Sequence, residues 1–356
     1  MRLYVGTYSL PILFGTGEIV QGRGEGIYLL ELNLENGGCN VVGLAAEADN
    51  PSFLALDSAK QRLYAVNELK EFEGGQQGAV SAFAVRLDGG LNYLNSRPTE
   101  GQDPCHIIVT ANGKNILVAN FMTGSVYGCV LDNDGRLSGN NSFVQHEGHS
   151  VDKKRQTGPH AHSFIQSPDR QYFFVPDLGL DQVLIYRLTK DGSLAKAGCY
   201  HCKPGRGPRF GEFHPNGRWF YLINELESSV TVTEYNSTLG LKEIQTVSTV
   251  SKEAPPNTCA DIHITPNGQY LYASNRGDDS IAIFRIEEDT GCLTPLGHVP
   301  SGGCTPRQFA IVGKAKYLCV CNQDSDNIAV FSIGKDGSLA LVDTVLVPTP
   351  VCVIEA

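Results

Sequence analysis

The stretch Pro104-Cys105-His106-Ile107-Ile108-Val109-Thr110-Ala111-Asn112-Gly113-Lys114-Asn115-Ile116-Leu117-Val118-Ala119-Asn120 decides the fold. It holds two short apolar runs, each too brief for a helix, joined by the tight polar turn Ala111-Asn112-Gly113-Lys114. That is the pattern of an antiparallel hairpin. The second run recurs along the chain and ends each time in Asn or Asp. Its copies are Leu63-Tyr64-Ala65-Val66-Asn67, Phe173-Phe174-Val175-Pro176-Asp177, Tyr221-Leu222-Ile223-Asn224, Leu271-Tyr272-Ala273-Ser274-Asn275 and Leu318-Cys319-Val320-Cys321-Asn322, with a degenerate copy at Leu3-Tyr4-Val5-Gly6-Thr7. The spacing between copies is 47 to 60 residues.

Each copy follows an apolar run that often begins near a proline, as in Pro51-Ser52-Phe53 and Pro208-Arg209-Phe210. A third run lies downstream, such as Ser280-Ile281-Ala282-Ile283-Phe284. A Gly hairpin and a fourth run then follow, as in Asp134-Gly135-Arg136-Leu137 or Asp336-Gly337-Ser338-Leu339. Four strands per repeat, seven repeats and no helical periodicity predict an all-β, seven-bladed β-propeller spanning residues 1–356 as a single domain. A parallel β-helix would use shorter repeats. The run Pro350-Val351-Cys352-Val353-Ile354 reads as a lone first strand, and residues 3–45 read as strands two to four. The two ends are therefore expected to pair in one closing blade, which protects the sheet edges.

Composition narrows the function. Lys plus Arg number 28 against 38 Asp plus Glu, a net charge of −10, which argues against a nucleic-acid-binding face. No apolar run reaches the length of a membrane helix. The first residues read as a strand and lack the apolar core of a signal peptide. With 11 cysteines, an odd count, free thiols in the cytoplasm are expected. The sequons Asn140-Asn141-Ser142 and Asn236-Ser237-Thr238 carry no weight in that setting.

In an antiparallel blade, the start of strand one and the end of strand two share a face. The long connections, 9–25, 69–77, 146–157 and 251–258, emerge there, and long loops on a rigid scaffold are where function sits. The strand-one starts in register are Ser52, Cys105, His160, Arg209, Ala260, Arg307 and Val351. The residues after strand two are Tyr8, Glu68, Phe121, Leu178, Glu225, Arg276 and Gln323. Equivalent positions of a repeat ought to be alike, yet these differ and many are charged. Three arginines converging on one mouth suit a carboxylate or phosphate.

At these residues the sequence resembles the propeller-type 6-phosphogluconolactonases, relatives of the fungal carboxy-muconate lactonising enzymes. The resemblance rests on Gly207-Pro208-Arg209, Phe213-His214-Pro215-Asn216-Gly217, Asn224-Glu225-Leu226, Asp261-Ile262-His263-Ile264-Thr265-Pro266-Asn267-Gly268, Asn275-Arg276, Pro306-Arg307 and Asn322-Gln323, and it covers nearly the whole chain. It implies hydrolysis of 6-phosphogluconolactone to 6-phosphogluconate in the pentose phosphate pathway, with His160, Arg209, Glu225 and Arg276 as the catalytic set. In Gly158-Pro159-His160-Ala161-His162 either histidine could face the substrate, and register with Arg209 favours His160.

The chemistry needs an activated water and a stabilised oxyanion. Glu225 or His160 is the candidate base, Arg209 or Arg276 the oxyanion partner, and Arg307 the phosphate holder. Gln323, His162, Glu68 and His106 are further expected to contact the substrate. No Gly-x-Ser-x-Gly elbow is present. No cofactor and no metal are expected: His160-x-His162 lacks an acidic ligand at a fitting spacing, and Cys199-x-x-Cys202 lacks a second pair. Cys319, Cys321 and Trp219 read as core, and His214 and His263 as structural hydrogen bonders. The expected partner is a small anionic sugar lactone, with neither nucleic acid nor membrane, and a monomer is compatible with the sequence. Two other function classes fit the same residues: a cycloisomerase of a muconate-like polycarboxylate and a non-catalytic binding propeller.

Overall fold

The computed structural model describes residues 1–15, 17–236 and 240–356, so the sequon at 236–238 falls partly outside the described residues. Seven four-stranded antiparallel sheets form the seven blades of a β-propeller. Blades 1 to 6 occupy residues 53–98, 104–145, 165–201, 208–248, 258–300 and 306–346. Blade 7 takes its first strand, Pro350–Glu355, from the C-terminus and its other three, Arg2–Thr7, Gly26–Leu32 and Cys39–Glu47, from the N-terminus. Leu3 faces Glu355 and Thr7 faces Pro350, the closure that the incomplete repeats predict.

The recurrent second strand lies inside each sheet and is wholly buried in several blades, as in Asn115–Asn120, Trp219–Asn224 and Tyr317–Asn322. Its alternating side chains serve two different interfaces. Tyr221 and Ile223 pack towards blade 5, whereas Phe220 and Leu222 pack towards blade 3. Period-two alternation therefore supplies both faces of every blade with apolar groups. The result is seven separate cores, one at each junction between blades. Trp219, Cys319 and Cys321 lie in these cores, as expected.

Polar ties span the same junctions. Asn67, Asn120, Asn275 and Asn322 each donate from Nδ2 to a backbone oxygen in the connection entering their blade, at Asp49, Thr99, Thr249 and Ser301. At the opposite face Tyr4, Tyr64, Tyr221 and Tyr272 donate to Gly89, Gly135, Gly291 and Gly337, in the strand-three hairpin of the next blade. Those hairpins require glycine: Gly291 has φ +70° and presses on Trp219, so a Cβ there would lie 2.4 Å from the indole. In the four repeats of Asn67, Asn120, Asn275 and Asn322 the recurrent Asn thus ties neighbouring blades together, whereas Asn224 bonds Ser229 and Thr231 within its own blade.

All eleven thiols are free. Eight are buried, Cys199 and Cys292 are half-buried, and Cys304 alone is exposed. A thiol reagent applied to the native, unreduced protein should therefore titrate one cysteine quickly and, after denaturation, all eleven. A denatured count lower by two or more would reveal a disulfide that this arrangement does not contain.

Candidate active site

Strand one of each blade lines the central channel, and its first residues sit at one mouth. In blades 2, 4 and 6 the ladder slips there. Pro208 pairs with Asn224 and Phe210 with Ile223, which leaves Arg209 unpaired in a bulge. The same slip leaves Arg307 between Pro306 and Gln308, and Cys105 between Pro104 and His106. A bulge re-aims its extra side chain; here it delivers two guanidiniums to the channel mouth. Glu225, Arg276, Glu68 and Gln323 come from the ends of the second strands of blades 4, 5, 1 and 6 and meet them there.

These residues line one pocket of about 210 Å³, together with His162, Cys105, Phe121, Arg155, Phe14 and Asp324. Below it lies a second void of about 20 Å³, the room for roughly one water, lined by His106, His162, Asp261 and Gln308 among others. Phe14 belongs to a small hairpin, Ile12–Leu13 with Ile19–Val20, built from the first long connection.

The structure corrects the register of blade 3. Ala161 bridges Asp177 as Pro208 pairs with Asn224, so His162 is the equivalent of Arg209. His160 is the equivalent of Gly207: Leu178 N donates to His160 O just as Glu225 N donates to Gly207 O. The His160 ring stacks on Phe121 with centroids 4.7 Å apart, and its Nδ1 bonds Phe121 O at 2.9 Å, outside the pocket lining. His162 faces the pocket, with Nδ1 buried and unpartnered among the described residues. His106 sits in the lower void, its ring between Phe53 and Phe210 and its Nδ1 accepting from Phe164 N. His214 and His263 bond Gly268 O and the carboxylates of Glu212 and Asp261, as structural groups do.

Glu225 organises the arginines. Its Oε1 takes Arg155 Nη2 at 2.6 Å; its Oε2 takes Arg276 Nη2 at 2.8 Å and lies 3.1 Å from Arg209 Nε. Burial alone would raise its carboxyl pKa, but Arg276, Arg155 and Arg209 outweigh this and hold it far below the carboxylate range. Burial, with Arg276 beside it, pushes Arg209 down to about 10, so it stays charged at neutral pH. Arg155 was not singled out from sequence, although it lies in the long connection 146–157 after Lys153-Lys154.

Arg307 is less committed. Its nearest carboxylate oxygen, Glu68 Oε1, is 3.7 Å away, and its guanidinium lies 5.3 Å from the Tyr8 ring and 5.1 Å from the Phe14 ring. Burial drives the His162 pKa well below its ordinary value, and Arg209 and Arg307 add to this, so the imidazole is neutral. Four guanidiniums line the pocket, with the buried Glu68 and Glu225 and the exposed Glu18 and Asp324 as its carboxylates. No group of three or more His, Cys, Asp or Glu side chains among the described residues could hold a metal ion.

A family model described as lactonase, 7-bladed beta-propeller, matches residues 2–355. The chain is 34% identical to the 6-phosphogluconolactonase of Bacillus subtilis, with 98% of this chain and 97% of that protein covered. It is 35% identical to the 6-phosphogluconolactonase of Formosa agariphila over 83% and 84% of the two chains. Among solved structures, the periplasmic gluconolactonase of Pseudomonas aeruginosa superposes with a TM-score of 0.88 at 28% identity, covering 99% of this chain and 98% of that one.

Replacing Glu225 by Gln leaves three guanidiniums facing one another. The expected loss of unfolding free energy at pH 7 is about 3–5 kcal/mol, the usual cost of removing one member of a buried ion pair. Because the folded-state pKa is depressed, this contribution exists above the unfolded carboxyl value of about 4.3 and fades as pH falls below it. Denaturant melts of both proteins should show the gap narrowing below about pH 4; a gap under about 1 kcal/mol at pH 7 would contradict the assignment.

Proposed function

The chain belongs to the lactonase family of seven-bladed β-propellers, and from that footing we propose that it hydrolyses 6-phosphogluconolactone to 6-phosphogluconate. The observation that supports this reading is a monosaccharide-sized pocket lined by four guanidiniums, one of which, Arg307, has its nearest carboxylate oxygen 3.7 Å away. A neutral sugar lactone would not need that uncommitted guanidinium. A lactone with a phosphate does, because buried guanidiniums bind phosphate in a planar, bidentate way.

The arginines divide by how far their donors are already used. Arg209 and Arg276 are pinned by Glu225 and by the backbone oxygens of Ala260 and Cys259. Fixed donors suit a charge that appears only in the transition state, since they need no reorganisation when it forms. They are assigned to the oxyanion that develops on the lactone carbonyl. Arg307, whose donors make no hydrogen bond within the chain's described residues, is assigned to the phosphate. His162, neutral and with an unspent nitrogen, and Gln323, whose buried Oε1 is likewise unspent, are placed to hold sugar hydroxyls. In this scheme His160 steadies Phe121 and does not touch the substrate. The free thiols favour a reducing compartment, the cytoplasm, over the periplasm of the Pseudomonas relative.

Freshly prepared 6-phosphogluconolactone, unphosphorylated gluconolactone and a carboxy-muconate, assayed side by side, test the reading. The phosphorylated lactone should be turned over with the highest kcat/KM. Arg307→Ala should raise its KM about 10–100-fold, the worth of a charge-assisted hydrogen bond, with kcat little changed. It should narrow the preference over the plain lactone. Muconate turnover alone would replace the reading with a cycloisomerase, and no turnover of any would leave a binding propeller. Turnover should also survive exhaustive chelation with EDTA; loss restored by a divalent ion would overturn the arginine-based scheme.

A further inference from the structure

Glu68 and Glu225 occupy the same place in the repeat. Each follows the terminal asparagine of a second strand, Asn67 in blade 1 and Asn224 in blade 4, and each side chain is buried against the one pocket. Their surroundings differ. Both oxygens of Glu225 are taken by guanidiniums within 3.1 Å. Glu68 has one guanidinium, Arg307, at 3.7 Å from Oε1, and its Oε2 accepts from the Tyr8 hydroxyl at 2.9 Å.

From this contrast we infer that Glu68 is the general base that activates the hydrolytic water, while Glu225 is a positioning residue that holds the arginines. The assignment rests on the lactonase reading above and names the base within it. A carboxylate flanked by guanidiniums at both oxygens cannot take up a proton without weakening those ion pairs. Glu68 Oε1, with no ion-pair partner closer than 3.7 Å, can. The titrating neighbourhood agrees. Burial raises the Glu68 pKa, Arg307 opposes this, Asp103 raises it further, and the hydroxyls of Ser52 and Tyr8 favour the ionised form; the net direction is upward. Asp103 is itself paired with Lys70, and the Cys105 thiol nearby is held protonated by burial. His162, the other pocket base, is shifted the wrong way for proton uptake near neutrality. Two like groups pushed apart by their environments mark an acid–base assignment, and a base works best when its pKa approaches the working pH.

The step balances with water as the only co-reactant. Glu68 takes one proton as the water oxygen bonds to the lactone carbonyl carbon, and the carbonyl electron pair moves to the oxygen facing Arg209 and Arg276. The tetrahedral species collapses with cleavage of the ring C–O bond. The departing ring oxygen takes the proton back from Glu68 and becomes a hydroxyl. The new carboxylic acid then ionises to solvent, and Glu68 is restored.

The test is steady-state kinetics from pH 5 to 8 on freshly prepared 6-phosphogluconolactone, corrected for spontaneous hydrolysis. Glu68→Gln should lower kcat about 10²–10⁴-fold with KM nearly unchanged. Glu68→Ala should regain part of its turnover on addition of formate, which a purely structural defect would not. Tyr8→Phe removes a hydrogen bond to the ionised carboxylate, so the acid limb of kcat/KM should move to higher pH while the plateau survives. If wild-type enzyme turns over the lactone but Glu68→Gln keeps wild-type kcat, the base assignment falls and the lactonase reading stands. A folded Glu225→Gln that loses kcat at unchanged KM would move the base to Glu225. If wild type turns over no lactone, it is the functional reading that fails.

Discussion

Everything at the site depends on the pairing of Pro350–Glu355 with Arg2–Thr7. No blade holds more than two of the pocket's charged groups: Glu68 comes from blade 1, Arg209 and Glu225 from blade 4, Arg276 from blade 5 and Arg307 from blade 6. They face one another only because the ring closes. Closure joins the last innermost strand to a sheet whose outer three strands come from the other end of the chain. Gln308 Oε1 of blade 6 accepts from Val353 N and ties that strand to its neighbour as well. An open ring would expose an apolar junction core and a pairing edge, both costly. The seven junction cores and the geometry of the mouth are therefore parts of one constraint.

Closure also concentrates charge. Guanidiniums brought to a narrow mouth repel one another more strongly as water is excluded. Glu225 relieves this for Arg155, Arg209 and Arg276 at once and fixes their orientation in doing so. Arg307 is handled by other means. It lies between the aromatic faces of Tyr8 and Phe14, which attract a cation without using its N–H donors. Three arginines are thus pre-spent on a carboxylate and one leaves its donors uncommitted, a distinction that a count of basic residues cannot make.

The architecture was legible because its signal is local and repeated: alternating apolar runs, tight polar turns and a terminal Asn or Asp mark six blades, and blade 7 carries the degenerate copy that ends in Thr7. Of the residues chosen as candidates, Arg209, Glu225, Arg276, Arg307, Gln323, Glu68 and His162 are brought into one pocket, and His106 into the void beneath it. His160 lies outside that pocket for a physical reason. Blade 3 has a first strand of only two residues, Ile165–Gln166, and the approach to it runs through a single bridge at Ala161; Pro159, which precedes His160 as Pro208 precedes Arg209, therefore marks a register two residues out of step. The bulges were not legible either, since a bulge is a property of two strands and not of one. Arg155 was missed because a loop residue carries no periodicity, although its place in a long connection on the functional face was the available clue.

The two glutamates show why reading stops where it does. Asn67-Glu68 and Asn224-Glu225 are the same dipeptide at the same place in the repeat, and the sequence offers no ground for giving them different tasks. The difference comes from their neighbours in the ring. Blade 4 places Arg209 beside Glu225 on its own first strand, blade 5 adds Arg276 at the next mouth position, and the connection 146–157 lowers Arg155 onto the remaining oxygen. Blade 1 has Ser52 where blade 4 has Arg209, and blade 2 has Phe121 where blade 5 has Arg276. Glu68 therefore keeps only the more distant Arg307 and the Tyr8 hydroxyl. One side chain in one backbone setting becomes a fixed counter-ion in blade 4 and a carboxylate with proton affinity in blade 1. In a ring of repeats, chemistry is assigned by the adjacent blade, and a repeat that can be exchanged structurally is not exchangeable at the site.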